Sequence, residues 1–277
     1  MYGNLQVVEV ESWNSWYTEG YVNIADLPNN LKFQENQGVV LKAVGVKEHG
    51  IVKGDKIIKL KYPMAYGIKP RNTEQFVAMN MLLDDKIKLK VITGREGCGK
   101  TILTAACILE LLLEQTKYKK LVLTRTTDEV GKSLGLLPGT VDEKFANHNA
   151  SFKYAFKALM GKQDDYLDVL MHKKVIEYIP IQFMRGISFP EKTIIWADEI
   201  AGLSAFELRM LCTRLGENCI LVLTGSFEQI DRKLKKEETG LYKLVSSDKI
   251  GNSTLCSHIE LIKNERSELS KLISDVL

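Results

Sequence analysis

No stretch of this sequence is apolar for long enough to cross a bilayer, which takes about 18 to 20 consecutive residues. The opening segment MYGNLQVVEVESW also lacks the basic, then apolar, then small-residue order of a secretory signal. The expected location is therefore cytoplasmic, with no membrane partner. Cysteine is sparse: five residues (Cys98, Cys107, Cys212, Cys219, Cys256), an odd number, scattered and without a C-x-x-C pair. That spacing argues against a disulfide framework or a zinc knuckle and leaves reduced, mostly buried thiols. Charge of one sign is missing too. The 38 Lys and Arg nearly balance 35 Asp and Glu, for a net charge of +3, so a polyanion would have to meet a local patch. Repeats and low-complexity tracts are absent. What remains, 45% hydrophobic and 26% charged residues in a chain of 277, is the composition of a globular protein with a sizeable core.

Two patterns divide the chain. From Gln6 to about Tyr66, short segments (QVVEV, GYVNIA, GVVLKAV, DKIIKLKY) alternate apolar with polar residues between Gly, Asn and Pro signals, which predicts a small β-rich domain over residues 1–68. YGIKPRN then reads as a linker. Beyond it, TEQFVAMNMLL has helical spacing, and KLKVIT, KLVLT, VIEYIP, TIIWA, CILVLT and HIELI are strand candidates. Several are uniformly apolar, as parallel strands covered on both faces must be. The expected fold is α/β, with a layered, mostly parallel sheet over residues 69–277. In the segment from Lys153 to Lys174, the helical spacing of Tyr154, Phe156, Leu159 and Leu167 reads as core.

Gly94-Arg95-Glu96-Gly97-Cys98-Gly99-Lys100-Thr101 matches G-x-x-x-x-G-K-[ST] between a strand and a helix. Glycines there let successive backbone N–H groups wrap a phosphate, and the helix beginning near Lys100 adds its positive end. Lys100 would neutralise β and γ oxygens, and the Thr101 hydroxyl would bind Mg²⁺. The pattern points to a nucleoside triphosphate.

About a hundred residues later, KTIIWADEI ends an apolar strand in Asp198-Glu199. Asp198 is placed to hold the metal shell and Glu199 to polarise an attacking water. In VLTGSFEQID, Thr224, Gly225 and Gln229 follow another strand, and strand ends of open α/β sheets face the ligand. Gln229 is a candidate γ-phosphate sensor. Four arginines (Arg125, Arg185, Arg214, Arg266) are able to bridge phosphate oxygens; spacing alone does not choose among them. KYKK, HKK and RKLKK are basic clusters able to meet phosphates.

These motifs, in this order, resemble the PhoH-like ATPases, relatives of superfamily-one helicases with a RecA-like core. The segment LTRTTDEVGKSLGLLPG resembles the family's T-R-P-x-x-x-x-G-x-x-L-G-F-L-P-G, FMRG its Y-M-R-G, DEIAGLS and CTRLG its D-E-A-Q-N and L-T-R-L-G, and TGSFEQID its T-G-D-x-x-Q-I-D. The resemblance covers roughly Lys69 to Leu277. KPRNTEQ resembles a Q-type motif, which implies Gln75 as an adenine reader. KNERSELSKL is similar to the last segment of members that carry a PIN nuclease, and no nuclease carboxylate cluster is read here. The nucleotide-binding set it implies is Gln75, Gly94, Gly97, Cys98, Gly99, Lys100, Thr101 and Arg125. Arg266 is the first choice for the charge-completing arginine and Arg214 the second. Ala201, Ser226 and Thr126 depart from the family's Gln, Asp and Pro, which bears on coupling rather than on the catalytic minimum.

The function expected is MgATP hydrolysis coupled to single-stranded RNA or DNA, as in a helicase or translocase. One RecA-like lobe provides only one wall of a superfamily-one cleft, so a homo-oligomer, such as a hexameric ring, is expected to supply the other. An ATP-gated scaffold with slow turnover and a P-loop small-molecule kinase are the alternatives.

Overall fold

A computed structural model describes residues 3–10, 14–28, 31–43, 45–126, 150–161, 164–230 and 234–265. Its first sheet contains β1 (Gln6–Glu9), β2 (Tyr21–Asn23), β3 (Gly38–Ala43), β4 (Val46–Lys53) and β5 (Lys56–Lys59), ordered β1-β3-β4-β5-β2. Alternation in the sequence marks four of these strands. The exception is β4, whose VKEHGIVK carries charge and glycine where alternation would need apolar residues. It is extended because both neighbours pair with it, Gly38 opposite Ile51 on one side and Gly50 opposite Lys59 on the other. Helix α1 (Asn14–Thr18) is likewise too short to show a period, yet it carries Trp16, the largest side chain of this small core, among Val8, Val39, Leu41 and Ile57.

The second sheet is six-stranded and wholly parallel: β6 (Leu89–Gly94), β7 (Lys120–Arg125), β8 (Ile176–Tyr178), β9 (Thr193–Asp198), β10 (Ile220–Gly225) and β11 (Cys256–Leu261), ordered β11-β6-β10-β9-β7-β8. This is the RecA-like P-loop arrangement. All six residues of β9 and all six of β10 are buried, which accounts for their unbroken apolar sequences. Successive side chains go to opposite layers. Ile194 and Trp196 face helices α2 (Thr73–Leu83), α3 (Lys100–Leu109) and α4 (Ala150–Met160), whereas Ile195 and Ala197 join the layer of α6 (Ala205–Cys212) and α7 (Gly240–Val245). Between those helices in the chain lies α5 (Asp164–His172).

Helix α4 corrects one sequence expectation. Phe152, Ala155, Phe156 and Met160 form its buried stripe, with Phe152 and Phe156 edge-on to Trp196. Tyr154 lies out of phase and is 75% exposed, so it is not core. The expected linker is also more ordered than its composition suggests. Tyr66 and Gly67 both have positive φ in a two-residue turn closed by Ala65 and Ile68, and the Tyr66 N–H donates to the Glu110 carboxylate at 3.0 Å.

The small sheet is stapled to the large one. The Asn36 side-chain amide donates to the carbonyls of Thr254 and Cys256 at 3.0 and 2.8 Å, and the Glu260 N–H donates to the Gly3 carbonyl at 2.8 Å. Ile51 of β4 shares an apolar cluster with Val77 of α2. Among the described residues, no helix is long and apolar enough to cross a membrane.

Candidate nucleotide site

Strands β6 and β9 are separated by one strand, β10, so the carboxyl ends of all three open onto the same edge. The loop after β6 is built around backbone that side chains resist. Gly94 has φ 144°, and a Cβ there would sit 2.2 Å from the Leu261 carbonyl oxygen of β11. Gly99, at φ 84°, is the left-handed residue from which α3 starts, so the first free N–H groups of that helix point back into the loop.

A cavity of about 370 Å³ lies at this edge and gathers Gly97, Gly99, Lys100 and Thr101 of the loop, Asp198 and Glu199 of the second motif, and Gln229 of the third. The Lys100 ammonium is turned onto its own loop, donating to the carbonyls of Gly94 and Arg95 at 2.8 and 2.7 Å. Burial pulls its pKa below the ordinary lysine value, with Cys98, Asp198, Glu96 and Glu199 acting the other way. Gln229 donates through Nε2 to the Glu96 carboxylate, and Arg95 pairs with Glu228 at 2.8 Å. Two bridges thus tie the third motif to the phosphate loop.

Asp198 is 4% exposed, and burial pushes its carboxyl above the usual range, countered by the Thr224 hydroxyl, which donates to it. That hydroxyl in turn accepts from the Trp196 indole N–H at 2.9 Å. A buried carboxylate made costly by desolvation, next to a threonine hydroxyl in an open polar cavity, is a donor set suited to a hard divalent cation. Thr101 and Asp198 are the residues that could hold one. Glu199 stands in left-handed backbone, φ 53° and ψ 42°, directly after β9. Its carboxylate is gripped by Arg125, whose Nε donates to Oε2 at 2.7 Å while Nη2 faces Oε1.

The remaining expectations divide. Cys98 and Gly94 are in the loop, Cys98 fully buried beneath it. Gln75 is 4% exposed and lies under the loop instead of lining the cavity: its Nε2 donates to the Cys98 carbonyl at 3.0 Å and its Oε1 accepts from the Arg71 N–H at 2.9 Å. Arg125 meets Glu199 and not the loop. Arg214 is brought to the wrong edge. It belongs to the connection from α6 into the start of β10, where its carbonyl accepts from the Phe189 N–H at 3.2 Å. Six strand residues at about 3.3 Å each separate it from its own chain's cavity, beyond the reach of an arginine. Arg185 lies in the connection from β8, at the far side of the sheet, to β9; it does not line the cavity and is exposed. Arg266 and the segment Gly131 to Gly139 lie outside the described residues. The residue before Arg266 is informative, however: the Glu265 N–H donates to the Gly97 carbonyl at 3.0 Å, and its carboxylate accepts from the Asn72 amide at 2.7 Å.

Sequence reading missed Trp196, Ser151, Glu96 and Asn72. Trp196 is hidden inside an apolar run, and Ser151 carries no local pattern. Asn72 was findable as the cap of α2, since its Oδ1 accepts from the Gln75 N–H at 2.9 Å.

Several known proteins are similar to this chain in sequence. Protein PhoH2 of Bacillus subtilis is 30% identical over 286 residues, covering 98% of this chain and 62% of the relative. Protein PhoH2 of Mycolicibacterium smegmatis is 29% identical, covering 96% and 60%. The chain thus spans about three fifths of the length of these curated relatives. Protein PhoH of Escherichia coli K12 is 31% identical over half of this chain. Among solved structures, the Pif1 helicase of Candida albicans aligns at a TM-score of 0.39 and 17% identity, over 75% of this chain and 43% of its own, a likeness that says nothing about activity. The family described as PhoH-like protein matches residues 67–277, which include the whole parallel sheet and the cavity at its edge, and the chain belongs to that family.

Proposed function

We propose that this chain is a magnesium-dependent ATPase whose hydrolysis is coupled to single-stranded RNA or DNA. The observation that carries the reading is the single cavity shared by Lys100, Thr101, Asp198, Glu199 and Gln229, residues far apart in sequence that together suit a triphosphate and an attacking water. The loop N–H groups and Lys100 bind β and γ oxygens, the ammonium leaving its carbonyl contacts to do so. Thr101 and Asp198 hold the cation, with Thr224 orienting the Asp198 carboxylate. When bound, magnesium would neutralise charge on the phosphate oxygens. Glu199 orients water and accepts its proton. Gln229, released from Glu96, reports the γ-phosphate. Arg266 completes the transition-state charge, the adjacent Glu265 being bonded to the phosphate loop.

In this reading residues 69–277 are the motor unit and residues 1–68 a β-rich module docked on it, in a cytoplasmic homo-oligomer that closes the cleft from a neighbouring subunit. The ATPase rate measured with no polymer, single-stranded RNA, single-stranded DNA and duplex tests it. Stimulation by a single strand, weakened by salt, is expected; MgATP that fails to bind would reject it. A strictly monomeric sample turning over at full rate would reject the shared cleft. The grip of Arg125 on Glu199 favours one second reading, a slow ATP-gated switch, in which the same assay shows binding with little turnover.

A further inference from the structure

Arg125 is the last residue of β7 and lies in register with Asp198, the last residue of its neighbour β9. The next residue of β9's chain, Glu199, therefore starts beside the arginine. Four contacts fix the pair. The guanidinium takes the carboxylate in a fork, Nε to Oε2 at 2.7 Å and Nη2 to Oε1. Its third nitrogen, Nη1, donates to Ser151 Oγ of α4 at 3.0 Å, which anchors the fork from behind. The Thr126 hydroxyl donates to the Glu199 main-chain carbonyl at 2.6 Å. Glu199 needs such holding, because left-handed backbone at φ 53° is sparsely populated for a glutamate and persists only when its surroundings impose it. Thr126 also stands where the family's T-R-P pattern has proline, which has no hydroxyl to give, so the main-chain half of the clip depends on this chain's own departure.

We infer that Arg125, assisted by Thr126, is a positioning residue that locks Glu199 in a resting rotamer and holds ATP turnover down until the clip opens. This rests on the hydrolysis proposed above. A base that orients water must turn an oxygen toward the γ-phosphate. In the clip both oxygens face the guanidinium, so the rotamer answers to β7 and α4 and not to the nucleotide. The Glu199 side chain is 44% exposed, so its carboxylate is hydrated when the arginine is removed, and Arg125→Gln leaves no buried unpaired charge.

The test compares wild type, Arg125→Gln, Arg125→Lys and Thr126→Ala by steady-state ATP hydrolysis without polymer. Arg125→Gln is expected to raise kcat roughly fivefold, about 1 kcal/mol at 1.36 kcal/mol per decade, with KM for ATP unchanged within about twofold. Arg125→Lys should fall between the two, since an ammonium makes one contact where the fork makes two. Thr126→Ala should raise kcat less. A folded Arg125→Gln with unchanged or lowered kcat overturns the clip, as does a raised KM with kcat unchanged, which would make Arg125 a nucleotide ligand. If Arg125→Gln does not fold, Thr126→Ala decides: unchanged kcat there overturns the proposal. A direct readout separates this from failure of the ATPase reading. In full-length protein without nucleotide, the Arg125 Nε–H should exchange slowly with solvent by NMR and lose that protection in Glu199→Gln. An unprotected Nε–H in wild type sinks the clip even if the protein hydrolyses ATP; a protected one, where neither wild type nor Arg125→Gln turns over, sinks the ATPase proposal and with it any effect of the clip on turnover.

Discussion

At the scale of single residues, the Asp198 and Glu199 carboxylates are each held by a side chain from another strand, Asp198 by the neutral Thr224 and Glu199 by the cationic Arg125. Glu199→Gln keeps the size of the side chain and removes the carboxylate proposed as the base, so ATP turnover should fall about 100-fold or more while nucleotide binding persists. Equilibrium binding beside a phosphate-release assay checks this, and undiminished turnover would remove Glu199 from the mechanism. Thr224 makes a different prediction. Its hydroxyl is fully buried, accepting from the Trp196 indole and donating to Asp198. Thr224→Val preserves shape but orphans the indole N–H, and should destabilise by about 1–3 kcal/mol in urea unfolding. Magnesium-dependent nucleotide affinity should fall in the same variant, because the Asp198 carboxylate loses its orienting donor. The carboxylates were legible in DE after an apolar strand. The Trp196–Thr224 relay was not, because an indole inside a buried run looks like packing alone.

At the scale of elements, geometry at strand ends explains the glycines. Gly94 ends β6 against β11, and its absent side chain is what lets the Leu261 carbonyl approach. Gly94→Ala should cost more than about 2 kcal/mol, from overlap and from a φ that alanine resists, and nucleotide binding should go with it. Unchanged thermal unfolding would show that β11 can move aside. Asn36 tests the seam between the sheets. Its amide spans the carbonyls of Thr254 and Cys256, while its Oδ1 accepts from Lys53, which also pairs with Asp84 at 3.0 Å. Asn36→Ala should lower stability by about 1–3 kcal/mol. It should also speed protease cleavage between the sheets; a seam as resistant as in wild type would mean that apolar contact alone holds it. Element type was legible wherever period was strong. It failed at β4, where pairing on both sides overrides a sequence with no alternation, and at α1, which has only five residues and so less than two helical turns in which to show a period.

At the scale of the molecule, burial of titratable groups sets a pH profile. Lys90, on the strand leading to the phosphate loop, is fully buried, and burial lowers its pKa to about 7, with Asp84 the main opposing influence. Its amine donates to the Leu82 carbonyl of α2. Unfolded, the same amine keeps its proton up to the ordinary lysine value of 10.5. Above pH 7 the unfolded chain therefore binds a proton that the folded chain lacks, and stability rises with pH. Buried thiols oppose it higher up. Cys107 is pushed up to about 12 and Cys212 to about 11, from 9.0, so above pH 9 the unfolded thiols ionise while the folded ones cannot, and stability falls. Urea midpoints should climb from pH 7 to near 9 and then decline. Lys90→Met should flatten the climb and leave the decline; an unchanged climb would show that other groups produce it.

The sequence by itself determined the parts whose information is local. A phosphate loop is eight consecutive residues, a buried parallel strand is a short apolar run, and a helix shows its period within three turns. Their order was enough for an α/β core with its nucleotide chemistry at one edge. Tertiary structure alone decided what faces what. Arg125 meets Glu199, 74 positions away, because β7 and β9 are neighbours in register. Arg214 is carried to the opposite edge because the chain must return before starting β10, and Gln75 turns under the loop because α2 is capped by Asn72 beside it. Such contacts depend on strand order and register, which no local pattern encodes.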